Sequence, residues 1–142
     1  MEFPYYSAAL GAFLLMLQQL FMISVGFHRV NVKLGVGIGE DPQLERKVRR
    51  HGNLAENAGI FIVVLALTEL SGASTSVVSG FAIAFAIGRI CHALGFMHLD
   101  GSHVNLEEGN KVFIGLRVVG ATLTGWVGLG LGGYLAYTLL SA

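Results

Sequence analysis

The chain has 142 residues and one cysteine, so it fits one domain and forms no intrachain disulfide. It is 54% hydrophobic and 13% charged, with mean hydropathy +0.66, where soluble domains carry about 25% charged residues. That surplus excludes an ordinary water-facing surface, and a net charge of zero offers no electrostatic footprint for nucleic acid.

The first apolar run covers residues 5–27 and predicts a helix over about 5–28. Glu2 stands where a cleavable signal peptide has basic residues, so the run reads as a retained membrane span. The connection that follows places Gly35, Gly37 and Gly39 at alternate positions, which a helix does not propagate through. It lacks the preceding strand and closing Gly-Lys-Ser/Thr of a phosphate loop. Asp41-Pro42 then has the form of an N-cap followed by proline at the first helical position. A second helix is expected over about 42–71, polar to Asn57 and apolar to its end. A short serine-rich turn leads to a third over about 76–97. A polar connection carrying Asp100, His103, Glu107 and Glu108 precedes a glycine-rich fourth over about 110–140. Crossing the hydrocarbon core takes roughly 20 mostly apolar residues. The expected fold is therefore an all-α membrane protein, a four-transmembrane-helix bundle in a single domain over 1–142. Gly128 and Gly132 make a small-xxx-small pair that suits either an oligomer contact or packing within the chain.

Orientation follows from the basic residues. Arg29, Lys33, Arg46, Lys47, Arg49 and Arg50 flank the first connection, and Lys111 flanks the third. The positive-inside rule puts those connections in the cytoplasm and both termini outside. Short loops and the lack of targeting signals point to a bacterial inner membrane.

The second helix carries the densest polar stripe. At about 100° per residue, Arg49, Asn53 and Glu56 fall within roughly 60° of one another, with Arg46 and Asn57 flanking. Charge at membrane depth costs at least ~2.5 kcal/mol, so it implies a partner or a function. A structural ion pair between Arg49 and Glu56 is the plain reading. The third helix aligns Arg89, His92 and Phe96, and Arg89 also reads as a snorkelling arginine. If Arg29, Arg49, Arg89 and Arg117 share one bundle interior with Glu56, the cavity is positive. It then suits an anion whose carboxylates guanidinium grips at two points.

The run Arg49-Arg-His-Gly-Asn53-Leu-Ala-Glu56-Asn-Ala-Gly-Ile-Phe61 resembles the signature of the MAPEG family, the membrane-associated proteins of eicosanoid and glutathione metabolism. Gly59 stands where the family often has proline. Gly88-Arg89-Ile-Cys-His92 is similar to the third-helix segment of its microsomal glutathione transferases and small bacterial members. The resemblance implies a homotrimer with glutathione as co-substrate between neighbouring subunits. It implies Arg49, Asn53, Glu56 and the adjacent Asn57 as glutathione contacts, and Arg29, Arg89 and His92 as candidates around the thiol. The implied reaction is a transferase or peroxidase one, in which glutathione thiolate attacks a hydrophobic small molecule arriving from the membrane lipid.

Two departures stand beside it. The third helix has His92 and Phe96 where family enzymes often have tyrosines, and the third connection has no arginine to activate the thiol. His98, His103, Lys111 or Arg117 would have to substitute. These departures also suit a non-catalytic lipid- or glutathione-binding scaffold of the same family. A metal site drawn from His92, His98 and His103 is disfavoured, because those spacings follow no helical face. A thiol–quinone enzyme needs paired cysteines, and an antiporter for cations would not surround Glu56 with arginine.

Overall fold

A computed structural model describes residues 3–102 and 107–141. Four helices, α1 (Tyr5–Val32), α2 (Pro42–Leu70), α3 (Thr75–Gly95) and α4 (Lys111–Leu140), are joined by short connections, the last holding a single 3-10 turn at Leu99–Gly101. All four are long and apolar enough to cross a membrane, and there is no strand among the described residues. The molecule is an integral, multi-pass membrane protein built as a four-helix bundle.

Local chemistry sets the helix ends. α1 runs to Val32, past the 5–28 anticipated, and stops where Lys33 turns left-handed at φ 57°. Gly37 and Gly39 take φ +76° and +57°, so the connection needs glycine at both. Asp41 then caps α2, its Oδ1 accepting from the backbone N–H of Gln43 at 2.8 Å and of Leu44 at 3.0 Å. α3 closes at Gly95 rather than 97. Its 21 residues rise roughly 31 Å, about the thickness of the hydrocarbon core. α2 has 29, roughly 12 Å more at 1.5 Å per residue, so its polar lead-in stands clear of that core.

Two helix ends are capped by side chains from a neighbouring helix. Glu69, in the last turn of α2, accepts from the backbone N–H of Tyr6 and Ser7 at 3.0 and 2.9 Å and from Ser7 Oγ at 2.6 Å. It thereby places a carboxylate on the positive end of α1. At the other side of the membrane, Arg46 of α2 donates to the carbonyls of Phe96 and Met97 just past α3. Gln43 Oε1 holds that guanidinium from behind. Arg46 thus serves as a cation at the negative end of α3, not as a flank of the polar stripe.

The closest pairings are α3 with α4 and α1 with α2. Leu10 and Leu14 of α1, Leu54, Phe61 and Leu65 of α2, Val78, Ala82 and Phe85 of α3, and Leu131 of α4 form the core. The Phe61 and Phe85 rings stack with centroids 3.7 Å apart. Large apolar side chains such as Leu20, Ile83, Trp126 and Leu129 point outward, as lipid allows. Lipid supplies no hydrophobic drive between helices, so close backbone approach matters more. At Gly120 an added Cβ would fall on the backbone of His92 and Gly88, and at Gly95 it would lie 2.6 Å from the backbone nitrogen of Arg117. These two glycines set the α3–α4 spacing. Gly128 and Gly132 meet nothing within 4 Å, so they make no such contact inside the chain.

Candidate functional site

The polar stripe of α2 opens onto a cavity. Arg49, Asn53 and Glu56 line a space of about 360 Å³ together with Glu45, Val48, Gly52 and Ile38. A second space of about 430 Å³ continues from Glu45, Arg49 and Asn53 toward Phe96 and Ser102. Periodicity explains the first part, since Glu45, Arg49, Asn53 and Glu56 follow one helical face. Ile38 is brought in by the glycine-rich connection. His28 Nε2 and Asp41 Oδ2 lie 2.7 Å apart, and Lys47 Nζ is 3.0 Å from His28 Nδ1, which ties that connection to α1 and α2. The hydrogen bond from His28 and those from the Leu44 and Gln43 amides hold the Asp41 carboxyl below the ordinary aspartate range.

Within the cavity, charges do not follow the positive interior anticipated. Arg49 is the one arginine lining it, and two carboxylates, Glu45 and Glu56, line it too. Arg49 is 72% exposed and its Nε is 3.8 Å from Glu45 Oε1, a loose pair. Glu56 is exposed and is not paired with Arg49. The other arginines line neither space. Arg117 donates to the Ser102 carbonyl at 3.3 Å and lies over the Phe96 ring. Arg29 is half-buried on α1, with Nη1 buried and lacking a hydrogen-bond partner, and it lines neither space. A positive cavity of four arginines is therefore not formed within one chain, because Arg29, Arg89 and Arg117 line neither space, Arg89 being spent on Asn53 and Thr124 and Arg117 on the Ser102 carbonyl.

Arg89 is the most buried of them, at 2% exposure. Its Nη2 donates to Asn53 Oδ1 at 2.8 Å, its Nη1 to Thr124 Oγ1 at 3.2 Å, and His92 Nδ1 lies 3.3 Å from Nη2. Its Nε is buried without a partner. His92, 4% exposed, packs against Phe96 with its ring tilted 33° to the other. A ring that accepts at Nδ1 carries its proton at Nε2. Arg89 and His92 stand behind Asn53, and neither lines the cavity. Asn53 Oδ1 faces Arg89, so its amide group is the part available to a ligand. Thr124 was not legible as a member of this set, since no spacing along the chain pairs α4 with Arg89.

Asn57 occupies the next position around α2. Its Nδ2 donates to the Asn53 carbonyl at 2.8 Å. The side chain lines a third space, about 240 Å³ and mostly apolar, bounded by Ile60, Phe61, Phe85, Thr124 and Leu131 among others. Gly128 and Gly132 border it as well. Of the proposed substitutes for thiol activation, His98 packs on Phe113 at 4.8 Å and Lys111 is exposed at the start of α4. His103 lies outside the described residues. There is no group of three metal-ligating side chains among the described residues.

A polytopic α-helical bundle with a polar groove along α2 and an apolar groove beside it defines the class. The comparisons give the family: residues 7–137 match the MAPEG family, and the chain belongs to it. It is 35% identical over 91 residues to the inner membrane protein YecN of Escherichia coli strain K12, covering 64% of this chain and 67% of that protein. The same figures hold for YecN of the O6:H1 strain. No solved structure matches. Family membership places the chain among the membrane proteins of glutathione and eicosanoid metabolism.

Proposed function

We propose that the protein is a glutathione-dependent transferase or peroxidase that conjugates or reduces hydrophobic electrophiles, with glutathione lying along α2. The observation that carries this reading is the side-by-side arrangement of the two grooves. Arg49, Asn53 and Glu56 line the polar one, Asn57 lines the apolar one, and the Asn57–Asn53 hydrogen bond joins them.

The donor set fits part of glutathione. Arg49 suits a carboxylate, Glu56 with Glu45 suits the ammonium, and the Asn53 amide suits a peptide carbonyl. One carboxylate then lacks a cation in this chain. A homotrimer supplies it: Arg29, half-buried with an unsatisfied Nη1, would reach a neighbour's groove. The exposed Glu56 and the open space over Gly128 and Gly132 favour such an assembly. Arg89 is a positioning residue in this scheme, holding Asn53 from behind. In this scheme the neighbour's Arg29 also serves the thiol, whose pKa a nearby cation lowers from about 8.5. The proton leaves through the open mouth, and the thiolate sulfur bonds to an electrophilic carbon in the apolar groove as that carbon's bond to its leaving group breaks, the leaving group taking the electron pair. With a peroxide the sulfur takes the oxygen as the O–O bond breaks and an alcohol leaves, and a second glutathione then releases the oxidised sulfur as disulfide and water. The Lys and Arg residues flanking the first and third connections suit a cytoplasmic site with both termini outside, and likeness to an inner membrane protein favours a bacterial inner membrane.

An ultraviolet difference titration of the detergent-purified protein with glutathione tests this. A saturable thiolate absorbance near neutral pH is expected. Calorimetric binding without that signal would replace the enzyme with a glutathione-binding scaffold, and no binding would end the glutathione reading.

A further inference from the structure

A separate groove runs between α1 and α3, and it shares no residue with the candidate site. Phe13, Leu17 and Phe21 form one wall, and Ile90, Leu94 and Met97 the other, around about 350 Å³. The one charged group that lines it is Arg50 of α2. From Phe13 to Phe21 the groove extends roughly 12 Å along the helix, close to the depth of one leaflet of a core about 30 Å thick.

Depth places its ends. α3 matches the core in length, so its C-terminal end, where Leu94 and, just past it, Met97 share the groove with Arg50, marks the membrane boundary. Arg50 therefore sits at headgroup level while the opposite end of the groove lies in hydrocarbon. The Arg50 guanidinium lies over the Phe21 ring at 4.3 Å, and its Nε is buried without a hydrogen-bond partner. The neighbouring cations are engaged: Arg46 caps α3, Lys47 meets His28, and Arg49 pairs loosely with Glu45. Six basic residues stand against three acidic ones between positions 29 and 50. Arg50 is thus a half-buried cation at a lipid–water boundary, its Nε shielded and unpartnered, facing an apolar trough, with no anion of its own.

We propose that this groove binds an anionic phospholipid, its acyl chain lying between α1 and α3 and its phosphate on Arg50. Phosphate supplies the acceptor that the guanidinium lacks, and basic pockets between membrane helices recognise such headgroups. A second copy of the chain seated there would leave Arg50 buried without a counter-ion unless it brought a carboxylate.

The test uses the full chain in vesicles doped with phosphatidylglycerol or phosphatidylcholine carrying a photoreactive diazirine in mid-chain. Adducts are expected on residues 13–21 and 90–97. Phosphatidylglycerol should exceed phosphatidylcholine there by about fivefold, the ratio one basic residue near the surface provides. Arg50→Gln should bring the two lipids level, and Arg50→Lys should keep part of the excess. Equal labelling in the unmodified chain, or an excess that survives Arg50→Gln, overturns the proposal. So do chain-to-chain crosslinks at these positions in place of lipid adducts, or displacement of the lipid by millimolar inorganic phosphate. If Arg50→Gln loses its helical circular dichroism, Leu94→Trp fills the groove and decides instead: loss of the excess supports the lipid site, and retention overturns it.

Discussion

Arg89 of α3 donates to the side-chain oxygen of Asn53 on α2 at 2.8 Å, which ties a buried guanidinium to the helix that lines the candidate site. No carboxylate shares this contact. Neutral oxygens of Asn53 and Thr124 and the His92 ring solvate the charge. Such an arrangement makes the Asn53 side chain structural on one side and available to a ligand on the other.

Removing it should therefore affect both roles. Asn53→Ala strips a charged donor of its partner, a loss of about 1.5–3 kcal/mol of bundle stability. Asn53→Asp keeps an acceptor for Arg89 but gives up the amide donors, so the fold should persist while glutathione affinity falls. Thermal unfolding in detergent alongside calorimetry separates the two effects. If both variants unfold at the same temperature as the parent, the Arg89–Asn53 link does not support the bundle.

Arg49 offers the opposite case. It is largely exposed and only loosely paired, so Arg49→Ala should change stability by no more than about 0.5 kcal/mol. Its removal should weaken glutathione binding by at least about tenfold, the effect of one lost charge-assisted contact. An unchanged affinity in a calorimetric titration sinks its assignment as a carboxylate ligand.

The glycines give a paired test of packing. Gly120→Ala puts a methyl into the backbone of α3, so α3 and α4 must separate, at a cost of about 1–3 kcal/mol. Gly128→Ala meets open space within the chain. It should leave the isolated protomer's stability unchanged and act, if at all, on assembly. Unfolding temperature and the mass of the detergent-solubilised particle distinguish these outcomes. A Gly120→Ala chain as stable as the parent would contradict the close α3–α4 approach.

Asp41 links pH to the α1–α2 connection. Its carboxyl titrates below the ordinary aspartate range because His28 and the α2 amides bond its charged form. A carboxylate whose folded pKa is lowered contributes stability that is complete above its unfolded pKa, about 3.9. That contribution is lost as pH falls through the lower folded value. Hydrogen exchange of residues 34–45 should therefore stay protected above pH 4 and rise below it, while Asp41→Asn should exchange faster at neutral pH and lose this acid dependence. Identical profiles for the two proteins would remove Asp41 from that role.

Arg46 tests capping between helices. Arg46→Gln should free the carbonyls of Phe96 and Met97 and lower stability by about 1.5–3 kcal/mol. Arg46→Lys should restore only part of it, since Gln43 and both carbonyls engage a fork that a single ammonium does not copy. Equal melting for the glutamine variant and the parent would show the cap to be without weight.

The sequence by itself determined the membrane class, the four spans, the capped start of α2 and the polar face of that helix. Each of these rests on composition or on a period within one segment: apolar length against membrane thickness, Asp41 before Pro42, and Arg49, Asn53 and Glu56 at helical spacing. Glu45 was readable by the same rule, four residues before Arg49. Only the tertiary structure decided what each face meets. Helical period fixes the direction of a side chain relative to its own axis, but not the rotation of one helix against another. That rotation sends Arg89 behind Asn53 to Thr124, turns Arg117 to the Ser102 carbonyl, and sets Arg46 on the end of α3. It leaves Arg49 facing two carboxylates in an open groove. The α3–α4 contact likewise depends on Gly95 and Gly120 meeting backbone while Gly128 and Gly132 meet none, a choice made by helix crossing and not by glycine content.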